Sequence, residues 1–183
     1  MAIRTFNGIA PSLGEGVFVD DSAVLIGDIT LGRDVSIWPM TVLRGDVNFI
    51  RIGEETNIQD GCVLHTTHPS EAHPEGHPLI VGNGVTVAHH VVLHGCTLGD
   101  LCLIGMGAVV MDGAVIEDRV ILGAGSLVPP GKRLESGFLY VGSPARLSRT
   151  LRDDELEYLS YSKDGYVLLK NRHQRESEGN APG

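Results

Sequence analysis

Residues 98–128 read LGDLCLIGMGAVVMDGAVIEDRVILGAGSLV, and an aliphatic residue returns in that stretch at every sixth position: Leu98, Ile104, Val110, Ile116, Leu122 and Val128. Working outward, the same frame appears at Leu13, Val19, Leu25, Leu31, Ile37 and Leu43, then at Ile52, Ile58 and Leu64, and again at Val81, Val87 and Leu93. A small or β-branched residue stands four places after the aliphatic in the first coils, at Val17, Ala23, Ile29, Val35, Thr41 and Val47. A six-residue unit is too short to enclose a core, and alternation turns its aliphatic inward and the next residue outward. Stacking buries that residue. Three units to a turn give about six triangular coils of a parallel β-helix built from hexapeptide repeats. A β-sandwich would alternate over longer runs and would not hold one six-residue frame for most of the chain.

Composition agrees. The 24 glycines and only 5% aromatic residues among 183 point to tight turns at regular intervals. With 14 Lys and Arg against 23 Asp and Glu, the net charge of −9 argues against a nucleic-acid partner. No apolar stretch approaches the roughly 18 residues of a membrane span, and the first residues lack a basic segment followed by an apolar run, so a soluble cytoplasmic protein is expected. Cys62, Cys96 and Cys102 are odd in number and lack C-x-x-C spacing, which argues against a disulfide framework and a cysteine-only zinc knuckle.

The frame breaks three times. Three extra residues separate Leu43 from Ile52, eleven separate Leu64 from Val81, and one is missing between Leu93 and Leu98. The longest insertion, HTTHPSEAHPEGHP at residues 65–78, reads as a loop protruding from a corner. The turn at Pro129, Pro130 and Gly131 is expected to end the regular coils. Three segments follow: the β-helix over 1–145, a C-terminal helix over 146–176 that packs on it, and a disordered tail over 177–183. Early Asp153, Asp154 and Glu155 with late Lys170, Arg172 and Arg175 suit a helix dipole. Leu156, Leu159, Tyr166 and Leu169 are its expected packing side, with Gly165 a weak point.

Seven of the eight histidines fall between Ile52 and Gly95. His65 follows Leu64 and His94 follows Leu93, so both point outward from one side of adjacent coils, about 4.8 Å apart. Arg44 occupies that side one coil earlier. Zinc holds nitrogen at about 2.0 Å, so the two imidazoles can share an ion. His89 lies two places after Val87 on the preceding side, and at roughly 3.3 Å per residue it is too far around the corner to join its own His94. A neighbouring subunit would supply the third ligand, and three-fold symmetry closes that arrangement as a homotrimer. Three protein ligands with an open position mark a catalytic zinc. His68, His73, His77 and His173 read as surface, and His90 faces away from His89. Cys62 and Cys102 fall in the small inward slot, and Cys96 is a small corner residue or an alternative soft ligand.

Arg44-Gly-Asp46, Asn57-Ile-Gln-Asp-Gly-Cys-Val-Leu-His65, Ala88-His89 with His94-Gly95, and Gly142-Ser-Pro-Ala-Arg146 together resemble the gamma-class carbonic anhydrases and their bacterial relatives. The similarity covers nearly the whole chain. It implies a left-handed β-helix trimer with zinc, iron or cobalt between subunits, held by His65 and His94 of one chain and His89 of the next. It implies reversible hydration of carbon dioxide to bicarbonate by a metal-bound hydroxide. Arg44 and Asp46 match the family's interface ion pair, and Asn57 and Gln59 its active-site amides, Gln59 bonding the hydroxide or bicarbonate. Tyr166 matches a tyrosine presented from the C-terminal helix or is a core aromatic. The sequence departs from the founding archaeal enzyme where acidic residues assist proton transfer: Val47 follows Asp46, and the loop carries histidines, which makes His68, His73 and His77 the candidate relay. Other functions fit the same scaffold: an acyltransferase-like enzyme, a metal-dependent acyl-CoA thioesterase, or a non-catalytic metal-locked trimer.

Overall fold

A computed structural model describes residues 2–179 of the chain. It is a parallel β-solenoid with three faces, and the six-residue frame is its hydrogen-bonding register. On the first face Leu13, Leu31, Ile52, Val81, Leu98, Ile116 and Leu134 are successive partners. On the second they are Val19, Ile37, Ile58, Val87, Ile104, Leu122 and Tyr140. On the third they are Ile3, Leu25, Leu43, Leu64, Leu93, Val110 and Val128. From Leu25 onward these aliphatics are almost wholly buried, as are the small residues of the intervening slot, Ala23, Val35, Cys62, Val85, Val91, Cys96, Cys102 and Ala108. Each Leu, Ile or Val so enclosed stabilises the fold by about 1.5–3 kcal/mol.

The coils run further than Val128. Leu134 and Tyr140 keep the six-residue step beyond the Pro129–Gly131 turn, and the Tyr140 hydroxyl accepts the Glu135 N–H at 2.9 Å. A large ring is tolerated there because no full coil follows. Ile3 adds a rung at the other end.

The three breaks in the frame gather at one corner. Val42–Ile52 is a continuous strand that turns from the third face to the first, and its register with Val24–Leu31 slips between Gly27 and Ile29. The three extra residues are a bulge there, which pushes Val47 outward to 41% exposure and out of the small inward slot expected of it. The backbones touch: a Cβ on Gly27, whose φ is +81°, would stand 2.3 Å from the Gly45 carbonyl. The eleven-residue insertion closes at its base through paired bonds between Thr67 and His77. Asn48 on the bulge donates to the carbonyls of Thr67 at 3.1 Å and Glu75 at 2.8 Å, so the two insertions brace each other.

The C-terminal region differs from expectation at both ends. Arg146–Thr150 is a strand, antiparallel to Phe138–Val141, and helix α1 spans Asp153–Gly179. Residues 177–179 of the expected tail therefore belong to the helix, and residues 180–183 lie outside the described part. Gly165 does not interrupt it. Leu159 is buried and Leu156 partly so, but Leu169 is 38% exposed while Lys170 beside it is 1% exposed. The docking side is largely polar. Lys170 pairs with Asp34 at 2.8 Å, Lys163 with Glu55 at 2.5 Å, and Gln174 donates to the Val17 carbonyl at 3.2 Å. Trp38 anchors the seam, edge-on to Tyr166 and to His173 with centroids at 5.7 and 5.2 Å. His173 is exposed, as expected, with one face of its ring against Trp38 at the edge of the seam. Among the described residues no helix is long and apolar enough to cross a membrane.

Candidate metal centre

The third face carries the predicted pair. Strands Val63–His65 and Val92–His94 are neighbours with His65 opposite His94. His65 Nδ1 faces His94 Nε2 at 3.1 Å. The other nitrogen of each ring is committed to a carboxylate: His65 Nε2 lies 3.0 Å from Asp46 Oδ1, and His94 Nδ1 lies 2.7 Å from Asp112 Oδ1. Ionised carboxylates only accept, so these ring nitrogens carry the protons. The two facing nitrogens then present lone pairs to each other, a repulsive contact unless a proton or a cation lies between them. Two ligands on a tetrahedral ion with 2.0 Å bonds stand about 3.3 Å apart, close to this separation. The donor set fits zinc or another divalent cation.

Arg44 donates to the second Asp46 oxygen at 2.6 Å. Burial opposes charge on Asp46, yet its bonds to Arg44 and His65 outweigh that and hold its carboxyl below the ordinary value. Burial, assisted by the positive field of Arg44, holds the His65 imidazole below its own ordinary value in spite of Asp46. A neutral imidazole is the form that binds a metal.

His89 occupies the neighbouring corner. Its Nδ1 lies 2.9 Å from Asp60 Oδ2, which repeats the imidazole–carboxylate arrangement of the other two. It is not a partner of His65 or His94, and among the described residues no group of three metal-binding side chains converges within the chain. His90 sits in a left-handed turn, φ +58°, its ring against Gly61 and away from His89.

Gln59, Asn57 and Tyr166 converge with His89. Asn57 is fully buried and accepts the Gln59 side-chain N–H at 3.1 Å, while its own amide donates to Thr86 Oγ1 at 3.1 Å. Thr86 meets Ser162 of α1 at 3.0 Å. The helix thereby fixes the Gln59 amide through two intermediates. Gln59, His89, Met106, Tyr158 and Tyr166 border a groove of about 380 Å³ between α1 and the second face. Burial, with the Asp60 charge, raises the Tyr166 phenol above its ordinary value.

Cys96 is closed as a ligand: it is 1% exposed, and burial pushes its thiol up to about 12. Cys62 and Cys102 are core, raised to about 11 and about 12 by the same cause. Asp60 and Asp112 were missed by sequence reasoning. The register held a signal for Asp60, two places after Ile58 as His89 is two after Val87. Asp112 is offset by one from His94 and needed the corner geometry. Of the loop histidines, the rings of His73 and His77 meet at a tilt with centroids 4.9 Å apart, and His77 packs against Gly95 and Gly113.

Residues 95–130 match the bacterial transferase hexapeptide family (six repeats). The chain is 51% identical over 180 residues to protein YrdA of Escherichia coli (strain K12), covering 98% of each. It is 44% identical over 168 residues to gamma carbonic anhydrase 1, mitochondrial, of Arabidopsis thaliana, covering 92% of this chain and 61% of that protein. A solved hexapeptide transferase family protein from Anaplasma phagocytophilum superposes with a TM-score of 0.86 at 40% identity, covering 93% of this chain and 96% of the other. The register of the solenoid, the paired histidines with their carboxylates, and these likenesses agree: the chain belongs to the gamma-class carbonic-anhydrase-like family of hexapeptide-repeat proteins.

Proposed function

We propose that the chain hydrates carbon dioxide reversibly to bicarbonate and a proton at metal centres between the subunits of a homotrimer. The observation that carries this reading is that three histidines, each with one nitrogen held by its own carboxylate, stand two on one face and one on the next. A divalent cation, zinc in the first instance, would be held by His65 and His94 of one chain and by His89 of a neighbour. When bound it supplies Lewis acidity and lowers the pKa of water to about 7. The residues of the chain do the rest. Asp46, Asp60 and Asp112 each accept the N–H of one ring nitrogen, which fixes the tautomer in which the nitrogen facing the centre is free. Arg44 keeps Asp46 ionised. The Gln59 amide nitrogen is engaged by Asn57, which leaves its oxygen to accept a hydrogen bond from the reacting water and orient it. The groove walls of Met106, Ala88 and Tyr166 are dry ground for an apolar substrate of three atoms.

The solenoid also offers the surface a trimer needs. Val24, Val42, Val63, Val92, Val109 and Leu127 form one registered outward column on the third face, beside the column that carries Arg44, His65 and His94. An unpaired aliphatic column next to an incomplete ligand set supports docking of a second copy there.

A second reading is favoured by one observation. A groove of about 380 Å³ is far larger than carbon dioxide requires. Hydrolysis or transfer of an acyl thioester would use that space. A metal-locked scaffold without catalysis is the third.

The test is metal analysis of protein purified without chelator, with carbon dioxide hydration and acyl-CoA hydrolysis measured on wild type and His94→Ala. Bound metal with hydration that His94→Ala abolishes is the expected result. Bound metal with acyl-CoA hydrolysis alone selects the second reading, and bound metal with neither activity selects the scaffold.

A further inference from the structure

Asp112 is the carboxylate on His94, and Thr67, which has no part in the hydration described above, connects it to the insertion. Asp112 Oδ1 accepts two hydrogen bonds, from His94 Nδ1 at 2.7 Å and from Thr67 Oγ1 at 3.0 Å. Thr67 is the closing residue of the insertion. Its N–H donates to the His77 carbonyl at 2.9 Å, its carbonyl accepts the His77 N–H at 3.0 Å, and that carbonyl also accepts Asn48 Nδ2 at 3.1 Å. The space beside Asp112 is filled as well, because a Cβ at Gly95 would lie 2.3 Å from Asp112 Oδ1 and 2.7 Å from His77 Cβ. The carboxylate is therefore enclosed by the base of the insertion and the Gly95 turn.

We propose that Asp112 is a positioning residue for His94 and that Thr67 sets its orientation, so that the base of the insertion, besides carrying His65, governs the metal affinity of the centre through the ligand on the next coil. The proposal rests on the reading of His65 and His94 as a metal pair. By accepting from Nδ1, Asp112 fixes the tautomer in which His94 Nε2 is free, and it raises the basicity of that nitrogen. A carboxylate without the Thr67 hydroxyl can rotate away from the ring, and the tautomer is then no longer enforced. The insertion thus does more than protrude from a corner: its paired backbone bonds carry the register of Thr67 to a ligand on the next coil.

Two measurements on the full chain test this. Zinc affinity, from competition of the purified protein with a chromophoric chelator, is expected to fall roughly 10- to 100-fold in Asp112→Ala. Thr67→Val gives a smaller loss, Thr67→Ser restores wild-type affinity, and Asp118→Ala, a carboxylate that caps the Asp100 N–H at 2.9 Å and touches no histidine, leaves affinity unchanged. Nitrogen NMR of the His94 ring without added metal is expected to show the Nδ1–H tautomer in wild type and a mixture in Asp112→Ala. Variants that fold by circular dichroism and keep zinc affinity within twofold of wild type overturn the proposal. So does a His94 tautomer that is the same with and without Asp112. A wild type that binds no zinc while showing the Asp112-dependent tautomer removes the metal reading and leaves the positioning of His94 standing.

Discussion

At the scale of single residues, the centre is a set of proton positions. Each of His65, His89 and His94 gives one ring nitrogen to a carboxylate, and each is thereby left one free nitrogen of known direction. Gln59 is held in the same manner by Asn57, Thr86 and Ser162. Removing its amide should cost the reaction one hydrogen bond to a charged group without disturbing the ligands. Gln59→Ala is therefore expected to lower kcat/KM for hydration about tenfold while zinc content measured by mass spectrometry stays at the wild-type value. A loss of metal in that variant would make Gln59 a structural residue instead. Gly95 is a second residue of consequence. Its φ of +54° and the Asp112 oxygen 2.3 Å from a would-be Cβ leave no space for a side chain. Gly95→Ala should destabilise the fold by more than about 1 kcal/mol in chemical denaturation, since the positive φ and the contact both act against alanine.

At the scale of elements, helix α1 is fastened by charges more than by an apolar stripe. Lys170 is 1% exposed and its partner is Asp34; Lys163 meets Glu55. Asp34→Ala leaves a buried ammonium without its carboxylate and is expected to cost about 3 kcal/mol in denaturant titration. The same seam predicts a pH response. The hydrogen bond from Lys170 chiefly, and its charge, hold the Asp34 carboxyl below the ordinary value, and Lys163 does so for Glu55. Their folded pKa values lie below the unfolded ones, so the unfolded chain binds more protons in acid. The stabilisation is complete above about pH 4.5 and is lost as pH falls through the folded values. Trp38, the chain's single tryptophan, packs against Tyr166 and His173 of the helix and reports the event. Its fluorescence should be constant from pH 7 to about pH 4.5 and change below that. Fluorescence that stays constant below that as well would show that the two ion pairs do not hold the seam. Sequence periodicity gave the helix its place but not its packing side, because a buried lysine is indistinguishable from an exposed one until its carboxylate partner, more than a hundred residues away, is brought beside it.

At the scale of the whole molecule, the solenoid is finished on the inside and unfinished on one outer face. The column Val24, Val42, Val63, Val92, Val109 and Leu127 faces outward, and all six residues are at least partly exposed, Val63 to 44%. If that column docks a second copy, Val63→Asp buries an unpaired charge at the contact, and several kcal/mol of association energy are lost. Light scattering is expected to give a trimer for wild type and a monomer for Val63→Asp, with zinc content falling alongside. A trimer of unchanged mass in that variant would place the interface elsewhere.

The six-residue frame was legible from Leu13 to Val128 because an inward slot in a stacked coil accepts little but an aliphatic residue, and each rung repeats the same demand. That frame also placed His65 opposite His94, since register follows from counting along a strand. It could not reveal the corner. The bulge at Asp46, the Thr67–His77 closure, the tight Gly95 turn and the one-residue offset of Asp112 arise where counting stops and backbones pack against each other. The sequence by itself determined which histidines could meet, and its register also carried Asp60 to His89; only the tertiary structure decided which carboxylates hold His65 and His94, because those bonds join segments whose relative height is set by insertions rather than by the repeat.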